Sequence, residues 1–212
     1  MKRRRIFLIR HGETPSNAKR VFQIPETPLS DRGRLQAAAL AERLGGEPIE
    51  RVIASDYERA AHTGRLVAGA AGVELELEPL LRERNFGDLR GRAYADVDGD
   101  PFRDGYAPPG GESWADFHGR ADRAWSELVD RLAGATGDVA LVTHGLVCRA
   151  FVDRCFEAGD WLHAAPPGGL AFANTSVTIV GAEAPFAVER VGCVEHLEAA
   201  GLAPASRDAA LA

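Results

Sequence analysis

Three short apolar runs constrain this chain most: RIFLI at 5–9, RVIA at 51–54 and VALVT at 139–143, each rich in β-branched residues and too brief for a helix. Long amphipathic stretches that close on glycine lie among them, LSDRGRLQAAALAERLGG and SDYERAAHTGRLVAGAAG. Short strands alternating with helices predict an α/β fold. Ser30 is placed to cap the first helix, and Ser55 with Glu58 makes a capping-box pattern that starts the second at about Asp56.

From Trp114, the residues Phe117, Ala121, Ala124, Trp125, Leu128, Val129 and Leu132 recur at helical spacing, which predicts one long helix with its aromatic stripe in the core. Between Asn85 and Gly111 the chain is dense in Gly, Pro, Asp and Arg, with only a brief helical pattern near Arg92 to Val97. That reads as a surface excursion of the kind that shapes substrate pockets. LAFANTSVTIVG and FAVERVG read as two closing strands, and no internal repeat or linker interrupts the chain. The expected organisation is a single domain over 1–198 with a flexible tail over 199–212.

Charge and cysteine content narrow the partners. With 25 Lys and Arg against 31 Asp and Glu, the net charge of −6 argues against a broad nucleic-acid surface and for a small partner. Cys148, Cys155 and Cys193 are odd in number and lack a C-x-x-C spacing, which argues against a disulfide framework or zinc site and for a reducing compartment. The opening MKRRRIFLIRHG has an apolar run of only Ile6 to Ile9, too short for a signal peptide, and no segment has the length of a membrane span. The expectation is a cytoplasmic monomer or homodimer without membrane or nucleic-acid contacts.

The chemistry-bearing residues sit at strand ends. Arg10 and His11 follow RIFLI, Ser55 and Arg59 follow RVIA, and His144 follows VALVT; this sheet edge is where open α/β folds bind ligands. Two histidines and two arginines in one place disfavour each other's charged forms unless an anion joins them, and phosphate is the natural guest. A neutral imidazole can attack phosphorus and carry the group covalently, while arginine forks steady the non-bridging oxygens. Gly12 allows close backbone approach, and Gly145 opens a helix whose N–H groups suit an anionic oxygen. The leaving oxygen needs a proton, and Glu83 in LLRERNFG is the best-placed carboxyl.

These residues resemble the histidine phosphatase superfamily, also called phosphoglycerate mutase-like. RHGETPSN resembles its R-H-G-x-T-x-x-N segment, SDYERAAHT its S-D-x-x-R-A-x-x-T, LRERNFG its L-x-E-x-x-F-G and THGLVCR its T-H-G-x-x-x-R, in order from about Arg5 to Ser176. The resemblance implies a three-layer α/β/α sandwich with a mostly parallel central sheet, and no metal or other cofactor. It implies His11 as phosphorylated nucleophile and Glu83 as proton donor, with Arg10, Asn17, Arg59 and His144 around the phosphoryl group. Thr14, Gln23 and the GGES turn at Gly110 to Ser113 resemble family positions at the pocket mouth, and Asn174 and Ser176 resemble its last sheet motif.

The chain departs from the family at two places. It has Arg84, Asn85, Phe86, Gly87 where mutases carry R-H-Y-G and a longer insertion, which favours phosphomonoester hydrolysis over mutase activity. The acidic-Trp-acidic-Gly ending common in the family's phosphatase branch appears as Asp88, Leu89, Arg90, Gly91. A cofactor-dependent phosphoglycerate mutase is the alternative, and a non-catalytic phospho-ligand binder a more distant one. His62, His118, His163 and His196 have no motif behind them, His62 and His118 reading as surface or boundary residues of helices.

Overall fold

A computed structural model describes residues 3–163, 170 and 172–203. In chain order its regular elements are β1 (Arg5–Arg10), α1 (Pro15–Lys19), α2 (Asp31–Leu44), β2 (Ile49–Ala54), α3 (Glu58–Ala71), β3 (Leu75–Leu77), α4 (Trp114–Leu132), β4 (Asp138–Thr143), α5 (Gly145–Arg154), α6 (Asp160–His163), β5 (Val177–Gly181), β6 (Val188–Cys193) and α7 (Glu195–Ala199). The six strands form one sheet in the order β3-β2-β4-β1-β5-β6. β3, β2, β4 and β1 run parallel, and β5 and β6 close the edge antiparallel.

The apolar runs are continuous because their strands are covered on both faces. In β1, Ile6 and Leu8 pack into the core built with Phe117, Trp125 and Phe151 of α4 and α5. Phe7 and Ile9 point the other way, onto Leu40, Leu44 and Val67 of α2 and α3. The result is the expected three-layer α/β/α sandwich. Each fully buried Leu, Ile or Phe contributes about 1.5–3 kcal/mol, so the sheet is anchored from two sides. Arg5 ties the start of β1 to the start of β4 through Asp138, at 2.6 Å from Nη2.

Ser30 caps α2 through Gly33 N–H, as expected. Ser55 does not cap α3, which begins at Glu58 after Tyr57 with no side-chain cap. Its hydroxyl instead meets His144 Nε2 at 2.9 Å, so the capping-box pattern yields to a contact between strand ends. The expected strand from Leu170 starts only at Val177, because Thr175 at φ 55 turns the backbone left-handed just before it. Residues 199–203 are held by the close of α7 and by Arg32, whose Nη2 donates to the Leu202 carbonyl at 2.8 Å; 204–212 of the expected tail lie outside the described residues.

The 85–111 excursion carries single turns of 3₁₀ helix at Gly87–Leu89 and Tyr94–Asp96, the latter being the brief helical pattern seen in the sequence. It folds around its own small core of Phe22, Phe86, Leu89, Tyr94 and Phe102. Buried Arg84 staples both ends, donating to the carbonyls of Tyr106 and Glu112. Gly87 is required there: at φ +52, a Cβ would lie 2.0 Å from the Pro109 oxygen.

Candidate active site

At the C-terminal edge of the parallel strands lies a cavity of about 890 Å³ lined by Arg10, His11, Arg59, Glu83 and Gly145, among others. Its floor is β1's end. His11 is buried, and its Nδ1 lies 2.7 Å from the Gly12 carbonyl, so Nδ1 carries the proton and donates it there. Nε2 therefore holds the lone pair, and it accepts the Arg59 Nε–H at 3.2 Å. Burial, then the Arg59 and Arg10 charges, hold His11 well below the usual histidine range and keep the ring neutral.

The backbone beneath is over-determined. The Thr175 N–H donates to both the Arg10 carbonyl at 3.0 Å and the His11 carbonyl at 3.2 Å. A β-branched residue at φ 55 is strained by about 1–3 kcal/mol, which this clamp offsets. Asn174 Nδ2 donates to the His11 carbonyl at 3.0 Å, so Asn174 supports the floor from below. Thr175 Oγ1 is in turn 3.3 Å from Nε2 of buried His196, a histidine without a sequence motif.

Arg10 and Arg59 are buried and still cationic: burial draws Arg59 down to about 10, offset by the Glu83 charge. Arg10 Nη1 donates to the Phe172 carbonyl at 2.6 Å, and Arg59 Nη1 to the Ile24 carbonyl at 3.1 Å, which fixes both forks. His144 lies wholly buried behind His11, ring centroids 5.1 Å apart, and burial with Arg59 holds it well below the usual range too.

Glu83 reaches the same cavity from the loop before the excursion. Its carboxylate accepts the Arg84 N–H at 2.9 Å and, from the first turn of α5, the Leu146 N–H at 3.2 Å. The helix N-terminus expected to serve a ligand oxygen thus holds the Glu83 carboxylate. Burial nonetheless pushes Glu83 up, against those two donors and the Arg59 and Arg10 charges, which favours its protonated form.

Other expected positions stand elsewhere. Gly12, Thr14 and Asn17 are not on the cavity wall. Gly12 is needed for packing, since a Cβ would lie 2.6 Å from the Gly33 oxygen at the start of α2. Thr14 and Asn17 form the capping box of α1, and Thr14 Oγ1 donates to Oε1 of Gln23, which does line the cavity. The GGES turn anchors the excursion, Glu112 accepting the Asn85 N–H at 2.8 Å and pairing with Arg120.

Sequence reasoning passed over Tyr57, Arg90, Tyr94, Phe102 and His118, all on the cavity wall. Trp114, expected in the core, lines the cavity and stacks under the Arg84 guanidinium at 3.9 Å. Only Arg90 carried a signal, as a departure from the acidic-Trp-acidic-Gly pattern.

Comparison with known proteins finds relatives by sequence and by fold. The chain is 35% identical over 159 residues to a glucosyl-3-phosphoglycerate phosphatase of Mycolicibacterium vanbaalenii, covering 68% of this chain and 71% of the relative. It is 31% identical over 211 residues to phosphoglycerate mutase-like protein 4 of Arabidopsis thaliana, covering 92% and 88%. A solved mycobacterial glucosyl-3-phosphoglycerate phosphatase in complex with VO3 superposes with a TM-score of 0.71 at 31% identity, over 84% of this chain and 91% of that one. The family model for the histidine phosphatase superfamily (branch 1) matches residues 6–189, and the chain belongs to that superfamily.

Proposed function

We propose that this protein hydrolyses a phosphomonoester of a small metabolite in two steps through a phosphohistidine. The observation that carries the reading is the pair of opposite displacements in one cavity: a histidine held neutral with its Nε2 lone pair uncovered by protonation, and a carboxyl held toward its protonated form. His11 Nε2 attacks phosphorus as the P–O bond to the leaving group breaks. Glu83 gives its proton to the departing oxygen, and Arg10 and Arg59 stabilise the charge on the non-bridging oxygens. Water then attacks the phosphohistidine, the P–N bond breaks, and Glu83 takes the water's proton, releasing phosphate and restoring both groups.

His144 Nε2 lies 2.9 Å from Ser55 Oγ, and its Nδ1 is buried with no partner among the described residues; in the tautomer where Ser55 donates, that Nδ1–H suits a phosphoryl oxygen. The positive charge at the cavity floor comes from the buried Arg10 and Arg59 guanidinium groups. Relatives named as phosphatases and relatives named as phosphoglycerate mutases both match the chain, and the Arg84 to Gly87 segment with its short excursion supports hydrolysis.

The test is a screen of phosphorylated metabolites with EDTA present, comparing wild type with His11→Ala and following inorganic phosphate. Phosphate release that survives chelation and vanishes in the variant is the expected result. Interconversion of 2- and 3-phosphoglycerate with negligible phosphate release would replace it with the mutase reading.

A further inference from the structure

Beyond the phosphate site, the cavity wall holds a cation that the hydrolytic chemistry does not use. Arg90 lines the cavity just past the 3₁₀ turn at Gly87–Leu89. Its Nη2 donates to the Tyr57 hydroxyl at 2.9 Å, and no carboxylate pairs with it among the described residues. Of the other arginines on this wall, Arg149 pairs with Asp153 and Arg154 with Asp122, Arg84 donates to the Tyr106 and Glu112 carbonyls, and Arg20 lies over the Tyr94 ring.

Tyr57 sets the separation from the reacting centre. The Arg59 guanidinium lies over the Tyr57 ring at 5.1 Å from its centroid, and the same ring meets the His144 edge at 5.5 Å. Arg90 holds the opposite, hydroxyl end of the ring. One tyrosine therefore separates Arg90 from the phosphate-facing arginine, close enough for the Arg90 charge to depress Arg59. Backbone hydrogen bonds fix the segment: Gly91 N–H donates to the Phe22 carbonyl at 2.7 Å and Phe22 N–H to the Arg92 carbonyl at 2.9 Å.

We propose that Arg90 reads a second anionic group on the substrate, a carboxylate or a second phosphoryl carried by the leaving part, and so selects such phosphomonoesters over neutral ones. This rests on the hydrolytic reading of the site. A fixed, unpaired guanidinium facing a cavity in a chain of net charge −6 gains most by pairing with a ligand anion. The position is acidic in the pattern that the 83–91 segment otherwise resembles, and an acid there would repel the same group.

Two matched pairs of probes separate the two anions: 3-phosphoglycerate against glycerol 3-phosphate, and fructose 1,6-bisphosphate against fructose 6-phosphate. In Arg90→Ala, kcat/KM for the doubly anionic member of the preferred pair should fall about 10- to 100-fold more than for its partner, the range of a lost charge-assisted hydrogen bond. Arg90→Lys should recover part of it, and Arg90→Glu should invert the preference. Equal losses for both members in both pairs, or discrimination lost in Arg20→Ala instead, would overturn the assignment. Calorimetric binding of the same pairs to His11→Ala, with and without Arg90→Ala, reads the selectivity without turnover. If wild type hydrolyses nothing yet this selectivity appears, the hydrolytic reading fails and Arg90 stands. If hydrolysis is robust and both pairs bind alike, Arg90 falls and hydrolysis stands.

Discussion

Arg10 and His11 stand at the cavity floor at the end of a hydrogen-bonded parallel strand, with His144 buried behind them, whereas Phe22, Phe86, Tyr94 and Phe102 line its wall from segments with no strand beyond the Val21–Ala93 bridge among the described residues. The floor is polar, deeply buried and pinned by main-chain donors. The wall is aromatic, joined by ring contacts such as Phe22 with Tyr94 at 4.4 Å, and turns repeatedly through left-handed glycines. A floor of that kind fixes reacting atoms, while a wall of that kind sets the shape and charge that a leaving group must match. Floor variants should therefore act on kcat, and wall variants on KM and substrate choice.

That division breaks first at His11. His11→Ala should abolish turnover and also the acid-labile, base-stable phosphoenzyme trapped by rapid quench; a phosphoenzyme in the variant would move the nucleophile elsewhere. Glu83→Gln keeps the shape and removes the transferable proton. It should cost about 10²- to 10⁴-fold in kcat/KM for alkyl phosphates and much less for nitrophenyl phosphate, whose leaving group needs no acid. Equal losses for both would remove Glu83 from that role.

The wall comes next. Phe102→Ala takes one ring from the aromatic cluster without touching the floor, so KM should rise about tenfold for the best substrate with kcat changed less than threefold, a hydrophobic contact of about 1–3 kcal/mol being lost. A kcat loss as large as that of Glu83→Gln would show that the wall positions the chemistry as well.

The pH profile offers a finer test. Reaction needs His11 neutral and Glu83 protonated. With His11 lowered, the acid limb should lie below the usual histidine range; with Glu83 raised, the basic limb should lie above the usual carboxylate range. Glu83→Gln should erase the basic limb alone. The same shifts act on stability: the lowered His11 and His144 contribute stability present above about pH 6.5 and lost as pH falls through their folded values. Raised Glu83 contributes in the opposite sense, its part lost as pH rises through its folded value. Inorganic phosphate at about 100 times its Kd should add about 2.7 kcal/mol, read as a higher Tm that His11→Ala alters and Phe102→Ala does not.

The two regions were unequally legible in the sequence. Strand ends announce themselves, because a buried apolar run that stops on Arg10 and His11, or on His144, has few reasons to do so, and motif order tied Arg59 and Glu83 to them. The wall was legible only as a segment: the 85–111 excursion read as pocket-shaping, but its individual aromatics did not stand out. An aromatic such as Trp114 or Phe117 at helical spacing satisfies a core and a cavity equally, and Tyr57, Tyr94 and Phe102 take their places through turns that local propensity does not specify. Ser55 misled in another way: it does what its residue type allows, hydrogen bonding, but toward His144 in place of a helix cap.

The position of β1 in the sheet has a consequence for how the molecule comes into being. Ile6 pairs with Val139 on one side and Val180 on the other, so the strand that ends beside His11 finds its first strand partner more than a hundred residues further along the chain. The clamp from Thr175 arrives later still. Such long-range pairing slows folding, since loop closure precedes its reward. A nascent chain released before β5 would hold every motif up to THGLVCR and still lack the N–H that fixes the His11 carbonyl. Competence at this site therefore waits for a segment translated long after His11 itself.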